Sequence, residues 1–308
     1  MASEPRPGGS CPAYYVPIEI RKQNADTMNV TFPHVETNVS LQQAKLENGC
    51  CNIIDGARVS AGKTLSVINP ATGQHQAAIP DVDRALLHKA VNDARNAFSG
   101  WGAVPFEGRK AILASLLHRI DDHADELSAL LTAEQGGLLA QARWEIDLLT
   151  KAFGPALMRM ELHEKEQDLQ HIEHITKRYI PIDAGGAISL WKLHVIHSFG
   201  KVLPALLAGD TVVLRPTPFT PLTVLRLSEY IRELLPPGVF NVVTGGRDLW
   251  PWTTSHSGID LIAFTRSTNI GKRILESAAC TLKPMTRELE GNDAGASADA
   301  YPDLVNQE

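Results

Sequence analysis

The chain has 308 residues, 44% of them hydrophobic, and a formal charge of -6 at neutral pH. That length leaves room for one large or two modest domains with a substantial core, and an acidic balance without a dense Lys/Arg run argues against nucleic acid or an anionic membrane as the main partner. No apolar run is long enough to cross a membrane as a helix. Met1 to Ser10 is rich in Pro and Gly without the apolar core of a secretory signal, so a cytoplasmic location is expected. Cys11, the adjacent Cys50 and Cys51, and Cys280 fit neither a disulfide framework nor a zinc spacing and read as free thiols.

In chain order, residues 1–48 mix Pro, Asn, Gln and charges without periodicity, which reads as a mobile arm with a short strand near Tyr14 to Ile20. Asn52 to Ile54, the Asp55-Gly56 turn and Leu65 to Ile68 read as an opening hairpin, closed by Asn69-Pro70-Ala71-Thr72-Gly73. Asp81 or Asp83 caps a helix running to Phe98, with Ala90, Ala94 and Phe98 on one face. Further amphipathic helices are expected at Phe106 to Ile120, at Ala124 to Leu131 before Gly136-Gly137, and from about Ala140 to Met160. Glu161 to Ile180 is a charged excursion with a strand at His171 to Ile180, placed outside the helical layer and able to pair with another chain.

From Pro181 to Gly291 one unit repeats: apolar strand, turn, amphipathic helix. The expected strands are Ala187 to Leu190, Thr211 to Leu214, Val239 to Val243, Leu261 to Phe264 and Met285 to Leu289; the helices are His197 to Leu207, Leu222 to Leu235, Asp248 to His256 and Asn269 to Cys280. Continuous aliphatic strands without polar alternation belong to a sheet covered on both faces. The fold class is therefore α/β, a doubly wound, Rossmann-like parallel sheet with a helical layer before it. Such sheets bind ligands outside the carboxyl ends of their strands, so the loops after Leu190, Leu214, Val243 and Phe264 are the candidate site. No G-x-G-x-x-G is present, and nucleotide binding rests on the architecture alone.

Several stretches between Asn52 and Asp293 resemble the NAD(P)-dependent aldehyde dehydrogenase family: Ile68-Asn69-Pro70-Ala71-Thr72-Gly73, Glu134-Gln135-Gly136, Leu203-Pro204-Ala205-Leu206, Thr211-Val212-Val213-Leu214-Arg215-Pro216, Asn241-Val242-Val243-Thr244-Gly245 and Ile262-Ala263-Phe264-Thr265. Pro218-Phe219-Thr220-Pro221 and Thr254-Ser255-His256 look most like a fungal branch. The resemblance implies oxidation of an aldehyde to an acid with NAD or NADP as cofactor. It also implies that residues 49–293 form the cofactor domain, with 161–180 its oligomerisation excursion, and that 294–308 is a mobile tail without the catalytic domain.

The family's site residues carry over unevenly. Glu288 matches the general-base Glu, while the nucleophilic Cys of that family lies beyond Glu308; Cys280, on a helix before Glu288, reads as structural. Trp191-Lys192-Leu193-His194 stands where the family has W-N-F-P, which puts Lys192 at the oxyanion Asn position. For the cofactor, Arg215 replaces the ribose-binding Lys and Thr217 its Ser neighbour, with Gly245 in the loop after the next strand. The family's F-T-G-S-T-x-x-G, where the backbone meets the pyrophosphate, reads here with Arg266 for the first Gly, then Ser267, Ile270 and Gly271. Arg266 is expected to obstruct that approach. Gly137 replaces the Lys of E-Q-G-K-P.

His171-x-x-His174 and His194-x-x-His197 lack a Cys or carboxylate to complete a metal set, so they read as surface histidines and no metal is expected. Asp121-Asp122 and Asp125-Glu126 read as capping residues at an inter-helix turn. Two functions follow: an aldehyde-oxidising enzyme by ancestry, active only if another chain completes it, or a pseudoenzyme serving as a nucleotide-binding or interaction module, with degenerate motifs pointing to specialised metabolism. Partners would be an aldehyde and a second protein, of the same or another kind, through 171–180. Arg287 and Glu290 are expected to be wet, since two buried unpaired charges would cost several kcal/mol.

Overall fold

Eleven strands and nine α-helices alternate along the computed structural model, which describes residues 49–162, 165–169, 173–279 and 281–289, all in one folding unit. The arm at 1–48, Cys11, Cys280, Glu290 and the tail at 294–308 lie outside the described residues.

The strand Asn52–Ile54 (β1) turns at Asp55-Gly56, as expected, but it returns through Ala57–Val59 (β2) rather than Leu65 to Ile68. Thr64–Ile68 (β3) pairs instead with His75–Pro80 (β4) as a separate two-stranded sheet around the Asn69 to Gly73 turn. Asn69 Oδ1 accepts from the Ala71 and Thr72 amides there, an Asx turn.

Arg84–Gly102 (α1) starts at Asp83, whose carboxylate accepts from the Leu86 amide at 2.9 Å; Asp81 instead accepts from Gly246 N. Phe106–Asp122 (α2) and Ala124–Gln135 (α3) follow, the latter stopped by left-handed Gly136. The fourth helix is one run in three parts: Leu139–Asp147 (α4), a π-helical stretch Leu148–Phe153, and Gly154–Met158 (α5). Gly154, at the end of the wider turn, packs tightly on α2, since a Cβ there would lie 2.4 Å from Leu117 Cδ1.

Lys165–Leu169 (β5) and Glu173–Lys177 (β6) form an antiparallel hairpin. The strand expected at His171 to Ile180 is shorter than that, and it finds a partner within its own chain because β5 runs beside it.

The repeating unit gives Ala184–Ile188 (β7), His194–Ala208 (α6), Thr211–Arg215 (β8), Leu222–Ile231 (α7), Phe240–Val242 (β9), Leu249–Ser255 (α8), Leu261–Arg266 (β10), Thr268–Ala279 (α9) and Met285–Leu289 (β11). The seven-stranded sheet runs β11-β10-β7-β8-β9-β1-β2, parallel from β11 to β9 and closed by the antiparallel β1-β2 hairpin. Side chains of β8 alternate between two cores. Val213 packs with Leu87, Leu249 and Ile274 from α1, α8 and α9, while Val212 and Leu214 pack with Leu116, Val202 and Val224 from α2, α6 and α7. Burial on both faces explains the continuous aliphatic strands. Arg287 on β11 is exposed, as expected for a charge without a buried partner.

Candidate functional site

Successive strands run outward from β7 to β8 and β9 in one direction and to β10 and β11 in the other, so the chain reverses its strand order between β7 and β10. A crevice opens at such a reversal beyond the carboxyl ends of the strands, whose connecting loops diverge. Every expected site residue lies at that end: Trp191 and Lys192 after β7, Arg215 and Thr217 at the end of β8, Gly245 after β9, Arg266 and Ser267 at the end of β10, Ile270 and Gly271 on α9, and Glu288 on β11.

Arg215 is 1% exposed. Its Nη2 donates to the carbonyls of Gly245 at 3.3 Å and Gly246 at 3.0 Å, while Nε and Nη1 meet no acceptor. Burial first, then the Arg266 charge, pushes its pKa down to about 9, which still leaves it a cation at neutral pH. Arg266 and Ser267 are half-buried at the end of the strand two places away in the sheet. Thr217 is wholly buried, its hydroxyl accepting from Phe219 N at 3.5 Å.

The two expected cradle glycines have packing reasons of their own. A Cβ on Gly245 would sit 2.9 Å from Leu249 Cδ2, and one on Gly271 would sit 2.6 Å from Leu289 Cδ2. Ile270 packs against the α1, α8 and α9 core.

Glu288 is held rather than poised. Its Oε2 accepts from Thr265 Oγ1 at 2.5 Å and Lys201 Nζ at 3.0 Å, with His197 Nδ1 at 3.4 Å. Partial burial works toward a higher pKa, but the Thr265 and Lys201 hydrogen bonds outweigh it and hold the carboxyl below its ordinary range. A general base is most effective with a pKa near the working pH, so these contacts make Glu288 a weak one. Lys192 is exposed, and Trp191, 52% exposed, borders an open cleft of about 570 Å³ with Phe219, Gln135 and Pro70. Leu193, which leads into α6, has a left-handed φ of 48°, a strained geometry for a residue with a branched side chain.

His194, expected at the surface, is wholly buried, with Nε2 3.1 Å from Glu134 Oε1. The contact is one of charge, because neither ring nitrogen has hydrogen-bond geometry to a partner. Glu134 accepts from the Leu222 and Thr223 amides at the start of α7, and Glu145 from the Val195 and Ile196 amides at the start of α6. Burial disfavours the imidazolium, yet the two carboxylates outweigh it and raise the His194 pKa; burial raises that of Glu145. Nothing in the local sequence reveals this cluster, whose members come from three separate helices. Among the described residues no group of three or more His, Cys, Asp or Glu could hold a metal.

The sequence signature of the aldehyde dehydrogenase family matches residues 57–301. The chain belongs to the aldehyde dehydrogenase family. It is 32% identical over 243 residues to FUS7, a candidate aldehyde dehydrogenase of Gibberella moniliformis, covering 79% of this chain and 52% of that protein. Identity to the betaine aldehyde dehydrogenase of Vibrio vulnificus is 32% over 235 residues, 75% of this chain and 48% of the relative. The fold superposes on an NADP-dependent enzyme of E. coli with a TM-score of 0.74 at 31% identity, covering 79% of this chain and 52% of that one. The chain thus spans about half the length of the aldehyde dehydrogenases it matches. No helix among the described residues is long and apolar enough to cross a membrane.

Proposed function

We propose that this chain binds NAD+ or NADP+ weakly at the β7/β10 crevice and does not oxidise aldehydes by itself, acting as a dinucleotide-binding member of its family. Aldehyde oxidation with NAD(P)+ is its ancestral chemistry. The observation that carries the reading is Arg215: two nitrogens of a buried guanidinium without acceptors are an unmet demand that a ligand's hydroxyl or phosphate oxygens satisfy. The dinucleotide, when bound, accepts a pair of electrons and a proton from the substrate; Arg215 would hold it and Ser267 would meet its phosphates. Arg266 works against this, because its charge crowds Arg215 and its side chain stands where the backbone has to come close to the phosphates.

Two features argue against turnover. Glu288 is tied down by Lys201 and Thr265. The described cysteines lie beside β1, on the far side of the sheet from β11, and burial and Glu229 push Cys50 up to about 12, so it is not a thiolate at neutral pH. Calorimetry with NAD+ and NADP+ tests the proposal. Arg215→Gln should abolish binding and Arg266→Gly should tighten it; unchanged affinity in the first variant, or weaker binding in the second, refutes it.

A second reading, in which another chain completes the enzyme, draws on Tyr179 at 60% and Ile180 at 81% exposed, beside the β5-β6 hairpin. Native mass spectrometry showing only monomer across the micromolar range would dismiss it.

A further inference from the structure

Away from the crevice, α1 and α8 border a second cleft of about 360 Å³, lined by Arg84, His88, Trp252, Ser255, His256 and Ser257. Arg84 and His88 are four residues apart on α1 and share a face of that helix. Arg84 is exposed and has no hydrogen-bond or ionic partner among the described residues, although it stands in the first turn of a helix, where the backbone dipole disfavours a cation. His256 Nδ1 accepts from the Gly258 amide at 3.0 Å, which puts its proton on Nε2, and Nε2 lies 2.9 Å from His88 Nδ1. His88 therefore keeps its own proton on Nε2, the one ring nitrogen of the pair left to meet a ligand. The Ser257 hydroxyl is likewise without a partner among the described residues, whereas Ser255 Oγ donates to Pro251 O.

The surroundings are positive. Burial, then His88, Lys283, Arg84 and Arg95, all act to keep His256 neutral. Lys283 donates to the carbonyls of Thr254 and His256, and Arg95 is engaged by Asp260 and Asp183. Asp81, Asp83 and Asp248 line an adjoining cleft that shares Trp252 with this one.

We propose that this cleft is a phosphate site, taking a phosphomonoester whose anionic group meets Arg84, His88 and Ser257 and whose organic part lies along the Trp252 indole. A guanidinium, an imidazole N–H and a hydroxyl from two elements suit a tetrahedral oxyanion with several acceptors. The flanking indole gives a flat apolar wall on one side only.

Calorimetry on the 308-residue chain tests it with phenyl phosphate, and with inorganic phosphate as the bare-anion arm. Both should bind, phenyl phosphate more tightly, and the imidazole resonances of His88 and His256 should move on titration. Arg84→Gln, at an exposed position, should weaken both ligands by about tenfold or more, as expected for loss of one charge-assisted contact. Trp252→Leu should weaken phenyl phosphate alone. The proposal fails if Arg84→Gln leaves affinity unchanged, if neither ligand binds, or if Arg215→Gln removes binding that Arg84→Gln leaves intact, which would place the anion in the dinucleotide crevice instead.

Discussion

Replacing His194 by leucine removes the imidazole that faces both Glu134 and Glu145. Glu134 is 2% exposed, Glu145 1% and His194 0%, so water cannot take over the lost charge. Breaking a buried ionic contact by removing one partner costs about 3–5 kcal/mol. The lower end, about 3 kcal/mol, is expected because Glu134 and Glu145 each keep two backbone amides at a helix start, and charge-assisted hydrogen bonds of that kind persist in the variant. The loss has a definite pH dependence. The folded-state pKa of His194 lies above the ordinary 6.5, so its contribution is fully present below pH 6.5 and disappears as pH rises through the folded value. Glu145, also raised, binds its proton more tightly when folded, so its contribution is fully present below the ordinary carboxyl pKa of 4.5 and is lost as pH rises through its folded value. Urea unfolding followed by tryptophan fluorescence and circular dichroism, at about pH 6 and about pH 9, reads both effects. The gap between the parent chain and His194→Leu should be largest at the acid end and narrow toward the alkaline end. A gap under about 1 kcal/mol at the acid end, or one independent of pH, would show that the cluster carries no net ionic stabilisation.

Three further outcomes can be checked directly. The purified chain should produce no NADH or NADPH above a blank with any aldehyde; turnover that Glu288→Gln abolishes would restore Glu288 as an active base. Gly238→Ala should lower stability on the order of 2 kcal/mol, read as a drop in Tm, because φ is +80° and a Cβ there would lie 2.6 Å from Asp93 O, a backbone atom that cannot swing away. Lys201→Met should raise the pKa of Glu288 by removing a charged donor at 3.0 Å, visible as a carboxyl titration at higher pH in carbon-detected NMR.

The parallel half of the fold is legible because its inner strands are buried on both faces and show it in uninterrupted aliphatic runs: Thr211 to Leu214 falls within β8 and Leu261 to Phe264 within β10. Boundaries slipped where small or polar residues hide an element. β7 begins at Ala184 rather than Ala187, through Gly185 and Gly186; a Cβ on Gly186 would stand 3.0 Å from Ile262 Cδ1, so glycine is what close strand packing requires. Helix α6 starts at His194, not His197, for a related reason: its first turn is fastened by Glu145, distant in sequence, and His194 itself is tied to Glu134. At the site, positions were readable from resemblance to the aldehyde dehydrogenases, but their states were not. Nothing local says that Glu288 is pinned by Lys201 from α6, or that Arg215 spends one nitrogen on the Gly245 and Gly246 carbonyls and leaves two without partners.

Glu288 rides on β11, which hydrogen-bonds to β10 alone among the described strands and ends one side of the sheet. Its burial is slight, with Met285 half-covered at the margin of the α1, α8 and α9 core and the next four residues exposed, so the strand is a low-stability unit. Peeling would carry the carboxylate off Lys201, whose side chain is 4% exposed, and leave that ammonium deprived of its counter-charge inside the protein. The ion pair therefore acts as a latch on the margin of the sheet. Under mild denaturant the amides of β11 should exchange first and together with the loss of the Glu288 contacts, so that the order of this carboxylate is set by the fraying of one border strand rather than by the global stability of the fold.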